Sequence, residues 1–343
     1  MVKSKKKRRS PVKSVITGGG GFIGSHLSEA LVNLGHEVVV IDNFCTGQRK
    51  NLEKIKKQID LIEEDIRYPG QWSKAFHGAD WVVHLAALAD IVPSIENPED
   101  YFGTNVSGTF NVLQASRDAG VSKFIYTASS SCYGLPDGFP TSELARIQPQ
   151  YPYALTKWLG EELALHWAKV YQMPVLSMRL FNVYGPRSRT SGTYGAVFGV
   201  FLAQKLADQP FTVVGDGNQT RDFTYVSDVV DAFIVSANSN ATEEIFNIGS
   251  GATVSINQIV ELLGGNQVVM LPKRPGEPDC TFADITKIQN KLRWMPKVNI
   301  EDGVANLLLN IDDWKDAPVW TQDTIKKATR SWFHHLGGSR EIE

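Results

Sequence analysis

The sequence predicts an α/β protein, a doubly wound parallel sheet carrying a smaller lobe of mixed α/β character. Three observations lead there. From Val12 to Asn182, short β-branched runs alternate with helical stretches, as in parallel strands joined by crossover helices. A glycine-rich turn separates the first strand from the first helix. Beyond Asn182 the alternation gives way to a glycine-, serine- and arginine-rich segment, Gly185–Gly195, followed by shorter elements.

The apolar runs place strands at Val12–Thr17, Glu37–Asp42, Ile59–Glu63, Trp81–Leu85, Phe124–Ala128 and Val175–Phe181. Helical spacing covers Ser25–Leu34, Tyr101–Ala119 and Pro152–Val170, and Pro152 suits a first turn, where its missing N–H costs nothing. An amphipathic helix at Val197–Ala207 and a strand at Phe211–Val214 follow, and a strand at Ile245–Ile248 is expected to rejoin the main sheet. The implied organisation is a basic leader (1–11), a dinucleotide-binding domain (12–183, joined by 222–252), a substrate lobe (184–221 and 253–314) and a C-terminal extension (315–343) with a terminal helix.

Composition narrows the class. A chain of 343 residues, 42% hydrophobic, can bury one or two cores, and 21% charged residues with a net charge of −2 mark an ordinary soluble protein. Lys3, Lys5, Lys6, Lys7, Arg8, Arg9 and Lys13 crowd the start, so the body that follows is acidic, which argues against nucleic-acid binding. The leader reads as a solvated, disordered segment, with a localisation or polyanion-binding tail as the alternative. No apolar stretch follows its charges, and no 18-residue apolar run exists, so neither a secretory signal nor a membrane span is expected. Cys45, Cys132 and Cys280 are odd in number and scattered, giving no disulfide framework and no metal-type pairing, as expected in a reducing cytoplasm.

The chemistry gathers in two stretches. Thr17-Gly18-Gly19-Gly20-Gly21-Phe22-Ile23-Gly24 follows the first strand and opens a helix. Glycine there permits a tight turn and lets backbone approach a pyrophosphate at the positive helix end, while Gly24 lets helix and strand pack closely. Asp42 ends the second strand, where a carboxylate accepts hydrogen bonds from ribose hydroxyls and repels a 2′-phosphate. A Rossmann-type domain that takes NAD is therefore expected. Asp65 ends the third strand, either reaching the adenine amino group or serving as a plain strand-end residue. In the second stretch, Tyr153-Ala-Leu-Thr-Lys157, four-residue spacing stacks a phenol and a cation on one helix face. A nearby ammonium favours the ionised phenol, so Tyr153 is expected to act as a base near neutral pH.

With these motifs and Ser129-Ser130-Ser131-Cys132-Tyr133-Gly134 in view, the chain resembles the extended short-chain dehydrogenase/reductases. Within them it is most similar to nucleotide-sugar epimerases of the UDP-glucose 4-epimerase type. The likeness runs over roughly residues 13 to 312 and includes His84-Leu85-Ala86-Ala87, Asn105-Val106-Ser107-Gly108-Thr109, Arg179 to Arg187, Arg221-Asp222-Phe223 and Arg274-Pro275-Gly276-Glu277. The resemblance implies Ser129, Tyr153 and Lys157 as the catalytic hydroxyl, base and cofactor-positioning lysine. It implies Gly18, Gly21, Phe22, Ile23, Gly24, Asp42, Asn43, Asp65, Ile66, Leu85, Ala86, Ala87 and Asn105 against NAD. It implies Ser129, Ser130, Ser131, Asn182, Arg221, Arg274 and Glu277 against a UDP-sugar; two arginines suit a pyrophosphate, although either met alone reads as a surface ion pair.

In such enzymes the tyrosine takes the proton of a sugar hydroxyl while C4 gives its hydride to NAD. Dehydratases add an aspartate–glutamate pair after the catalytic hydroxyl, and glucuronate decarboxylases a glutamate. Ser130 and Ser131 stand at the matching positions here, so 4-epimerisation is the chemistry that needs nothing further. Cys132 reads as a small buried thiol rather than an acid. Thr281 occupies the position of a bulky tyrosine in strict galactose enzymes, and the stretch Thr193–Phe198 departs from their histidine motif. Both features favour UDP-N-acetylhexosamines, with UDP-glucuronate as runner-up. A catalytically silent NAD sensor is the alternative outside enzymology. The resemblance also implies a homodimer through the helices at Tyr101–Ala119 and Pro152–Val170, the second carrying Trp158, Leu159, Leu163, Leu165 and Trp167.

Overall fold

The computed structural model describes residues 11–188, 197–265 and 267–337, so nearly all of the leader expected at 1–11, and much of the segment Gly185–Gly195, lie outside the described residues. The first half runs β1 (Lys13–Thr17), α1 (Phe22–Asn33), β2 (Glu37–Ile41), β3 (Ile59–Ile62), β4 (Trp81–His84), α2 (Ile91–Glu96), α3 (Pro98–Phe102), α4 (Thr109–Ala119), β5 (Lys123–Ser129), α5 (Pro152–Tyr171) and β6 (Val175–Leu180). The second half runs β7 (Asn182–Tyr184), α6 (Val197–Leu206), β8 (Phe211–Val214), β9 (Thr220–Arg221), β10 (Phe223–Tyr225), α7 (Val226–Asn238), β11 (Glu244–Ile248), β12 (Val254–Ser255), α8 (Ile256–Leu262) and β13 (Val268–Leu271). Four helices end it: α9 (Thr286–Leu292), α10 (Ile300–Leu309), α11 (Gln322–Ala328) and α12 (Arg330–Leu336).

One seven-stranded sheet, ordered β11-β6-β5-β4-β1-β2-β3, organises the chain. All its pairings are parallel. Helices cover both faces, so strand residues such as Val15, Ile16, Val38, Val39, Val40 and Ile41 are buried whichever way they point. Strand order reverses between β1 and β4, which opens a crevice at their carboxyl ends. Beside the sheet, a separate apolar cluster joins Phe198, Phe201, Phe211, Tyr225, Ile259, Leu307 and Trp314 from the smaller elements.

Two expectations change and a third is settled. The helix expected over Tyr101–Ala119 is interrupted: α3 stops at Phe102, a wider π turn spans Gly103–Gly108, and α4 resumes at Thr109. The turn lets Gly108 pass under Ile66, where a Cβ would come within 2.9 Å of its side chain. The helix expected to be amphipathic at Val197–Ala207 is apolar nearly all round, because α6 packs between β8 and a short 3₁₀ turn at Ile311–Trp314. Trp167, for which the sequence leaves sheet, partner and monomer core all open, is buried by its own chain against Phe110 and Tyr171.

Helix α5 lies close on β5 because Gly160 has no side chain; a Cβ there would run into the Tyr126 hydroxyl, which donates to the Lys157 carbonyl at 3.0 Å. One turn beyond Lys157, Glu161 meets Arg179 of β6 at 2.5 Å, both almost fully buried. Ser177 Oγ also donates to this carboxylate at 2.6 Å, and Arg179 Nη1 donates to the Tyr133 hydroxyl at 2.9 Å. A buried pair this well bonded loses most when one partner is removed. Glu161→Ala should therefore destabilise the fold by about 3–5 kcal/mol. Urea unfolding tests it; a loss under about 1 kcal/mol would mean that water reaches Arg179.

Candidate active site

The crevice is a cleft of about 710 Å³ running from the glycine loop to the C-terminal helices. At its cofactor end Gly18 takes φ +73°, and a Cβ would lie 2.6 Å from the Ala86 nitrogen, so only glycine lets β1 and the loop after β4 come together. Gly24 backs directly onto the Gly18 carbonyl. Helix α1 begins at Phe22 with no side-chain cap from Gly21, which leaves its first-turn N–H groups to an anion. A glycine cradle that any side chain would fill, opening onto an uncapped helix end, fits a dinucleotide pyrophosphate.

Asp42 follows β2 and accepts from the Gly20 nitrogen at 2.8 Å and the Phe44 nitrogen at 2.7 Å. Burial pushes its carboxyl above the ordinary range, and those two bonds only partly offset the effect. Asp65 is engaged further: Oδ1 accepts from the Arg67 backbone and Oδ2 from Arg67 Nε and Asn43 Nδ2. Burial pushes Asp65 up, but these bonds outweigh it and hold the carboxyl below its usual range. Oδ1 keeps acceptor capacity for a ligand donor.

Asn105 was expected against the cofactor, but it lies 1% exposed beneath the cleft instead of lining it. Its amide accepts from the Leu88 nitrogen (2.8 Å) and donates to the Leu88 carbonyl (2.9 Å) and Thr156 Oγ1 (3.0 Å). It thus positions the loop after β4 against α5. Beside it runs a buried relay. Thr109 Oγ1 donates to the Asn105 carbonyl (2.6 Å), so it must accept from His84 Nε2 (2.9 Å). His84 Nδ1 then accepts from Thr17 Oγ1 (2.6 Å), which in turn accepts from the Ala86 nitrogen (3.3 Å). Burial, with Lys157 nearby, pushes His84 down to about 3, so this imidazole stays neutral.

Tyr153, Ser129 and Ser131 all line the cleft, with Ser131 Oγ donating to Ser129 Oγ at 2.9 Å and both serines near enough to the phenol to lower its pKa. The expected depression of the Tyr153 pKa by Lys157 is not what this site does. Burial raises it, and the Ser129 and Ser131 hydroxyls are what pull it back. Lys157 is itself pushed down to about 7 by burial, with Glu161 opposing, so it holds only part of its charge near neutral pH. Its ammonium lies 4.6 Å from the centre of the Tyr126 ring. Cys132 is buried, raised to about 12 by that burial, and absent from the cleft wall.

At the far end Glu277 sits between two cations, 3.0 Å from Arg221 and 3.7 Å from Arg274. Asn182 Oδ1 accepts from Thr281 Oγ1 at 2.8 Å. The remaining predicted residues (Gly21, Ile23, Asn43, Ile66, Leu85, Ala86, Ala87 and Ser130) also line the cleft. Arg187, the last residue of the Arg179–Arg187 motif, lines it too, and sequence reasoning missed Asp90, Tyr151, Trp320 and Trp332, which line it as well. Tyr151 carried a signal, since it stands two residues before the base; Trp332 carried none.

Residues 14–249 match the NAD dependent epimerase/dehydratase family. The chain belongs to this family. Its members include enzymes that epimerise, dehydrate or decarboxylate nucleotide sugars, and this chain is an NAD-dependent enzyme of that kind. It is 34% identical over 312 residues to a UDP-N-acetyl-alpha-D-glucosaminuronate decarboxylase of Bacillus cytotoxicus, covering 86% of this chain and 96% of the relative. It is 31% identical over 307 residues to a UDP-glucose 4-epimerase of Mycolicibacterium smegmatis, with the same coverages. Its fold is similar, at TM-score 0.82 and 30% identity, to a UDP-N-acetylglucosamine 4-epimerase of Methanobrevibacter ruminantium solved with UDP-N-acetylmuramic acid, covering 88% of this chain and all of that one.

Lys157 titrates lower folded, at about 7, than its ordinary value of 10.5. Between those values the unfolded chain binds more protons, so this lysine makes stability climb as pH rises across the window and fall as pH drops toward 7. In cofactor-free protein, Lys157→Met should flatten that climb in urea midpoints measured from pH 7 to 10; an unchanged slope would mean the ammonium is solvated.

Proposed function

We propose that this family member is a UDP-sugar 4-epimerase acting on UDP-N-acetylhexosamines and UDP-hexoses through a transient 4-keto sugar. The observation that carries the reading is the catalytic group itself: Ser129, Tyr153 and Lys157 line one cleft, and the residues after Ser129, Ser130 and Ser131, are hydroxyls rather than carboxylates. Tyr153 accepts the proton of the C4 hydroxyl and later returns it, while Ser129 donates a hydrogen bond to the same oxygen. Lys157, which lines the same cleft, is the residue that positions the cofactor. When bound, NAD takes up the C4 hydride and gives it back, so none is consumed. Arg221, Arg274, Glu277 and Asn182 hold the UDP portion, with the two guanidiniums giving that end excess positive charge.

The similarity to a uronate decarboxylase favours a second reading, uronate chemistry in the same cleft. Loss of water would call for an acid and base beside Ser129, and the glucuronate decarboxylases carry a glutamate there; Ser130 and Ser131 supply no carboxylate. The protein is further proposed to work in the cytoplasm as a homodimer through α4 and α5, where Phe110 and Leu155 are exposed. A silent NAD sensor would have no use for the Tyr153–Lys157 pair.

Two experiments test the reading. Tyr153→Phe should lower turnover of the preferred UDP-sugar by about 10²–10⁴-fold while NAD still copurifies. Equal turnover would mean that another residue is the base. Thr281→Tyr should remove activity on UDP-GlcNAc and UDP-GalNAc while sparing UDP-glucose and UDP-galactose, read by chromatography of the interconverted sugars. Interconversion of none of these by the unmodified protein would sink the epimerase reading.

A further inference from the structure

The C-terminal helices are part of the cleft. Trp332 of α12 is 4% exposed and lines the cleft wall, where its ring centre stands 6.2 Å from that of Tyr151. Tyr151 is stacked in turn on Tyr153 at 6.3 Å and 7°. The Arg274 guanidinium lies 5.4 Å from the Trp332 ring centre. Trp332 Nε1 donates to the Pro275 carbonyl at 2.7 Å, in the turn that carries Arg274 and Glu277 and reverses at Gly276 with φ +72°. One residue earlier, Ser331 Oγ donates to Glu96 Oε1 at 2.7 Å, on α2 of the cofactor side. Helix α12 therefore ties the substrate-side turn to the cofactor side. The family match ends at residue 249, so it says nothing of this arrangement.

We propose that Trp332 is a positioning residue for nucleotide-diphosphate binding: it holds Arg274 and its turn in their binding geometry through the ring face and the Nε1–H bond. The proposal rests on the reading of the cleft as a UDP-sugar site. A guanidinium on an aromatic face keeps its charge while losing rotational freedom, so less ordering remains to be done when a diphosphate arrives. The hydrogen bond to Pro275 fixes the turn at the backbone, where a surface side chain would have no hold.

The test uses the full chain and two readouts, calorimetric titration with UDP alone and steady-state kinetics with the UDP-sugar. Trp332→Ala should weaken UDP binding and raise KM by about tenfold, with the loss falling on KM rather than kcat. Trp332→Phe keeps the ring face and should recover most of that loss. Unchanged UDP affinity in folded Trp332→Ala overturns the proposal, as does a fall in kcat with UDP affinity intact, because the ring would then act on Tyr153 through Tyr151. If Trp332→Ala does not fold, Ser331→Ala loosens the same helix from α2 and should weaken UDP binding about threefold; no change there overturns it equally. Unmodified protein that binds NAD but not UDP would instead overturn the reading of the cleft and this proposal together.

Discussion

The approach of β1 to the loop after β4 is the constraint on which the cleft depends. Gly18 meets Ala86 there without a side chain between them, and the Thr17–His84–Thr109 relay holds the contact from below. The relay works only with a neutral imidazole, since its two hydroxyl neighbours need one donor and one acceptor from the ring. Full burial, which keeps His84 unprotonated, is therefore a condition of the geometry. The loop so placed is the one Asn105 pins to α5, and α5 bears Tyr153 and Lys157. Cofactor cradle and catalytic helix thus share one buried support.

Helix α5 also carries a graded run of charge on successive turns. Tyr153 and its serines face the cleft, Lys157 lies beneath at partial charge, and Glu161 closes the run on Arg179. The lysine therefore answers to two opposing demands, burial that strips its proton and a carboxylate one turn away that keeps it. Tyr153, itself raised by burial, shares the cleft with a lysine whose charge depends on how much water the cleft holds.

Much of this was legible in the sequence because it follows from local rules. The glycine loop, the strand ends at Asp42 and Asp65, and the i,i+4 pair at Tyr153 and Lys157 each encode their placement within a few residues. What failed depended on contacts distant in the chain. Nothing in the spacing from Tyr101 to Ala119 reveals a π turn, which answers to Ile66 and Leu88. Four-residue spacing put Lys157 beside Tyr153 but could not show that Tyr126, from a neighbouring strand, would receive its ammonium. Trp332 lies nearly two hundred residues from Tyr151, and no short-range pattern connects them.

That separation bears on the order in which the protein is made. The central sheet has its last strand once residue 248 has been synthesised, whereas Trp332 emerges near the end of the chain. A chain still on the ribosome can assemble the dinucleotide cradle while the turn bearing Arg274 has no aromatic face to rest on. The strands of the central sheet are thus all in place along the chain before the residue that braces the turn bearing Arg274 has been made.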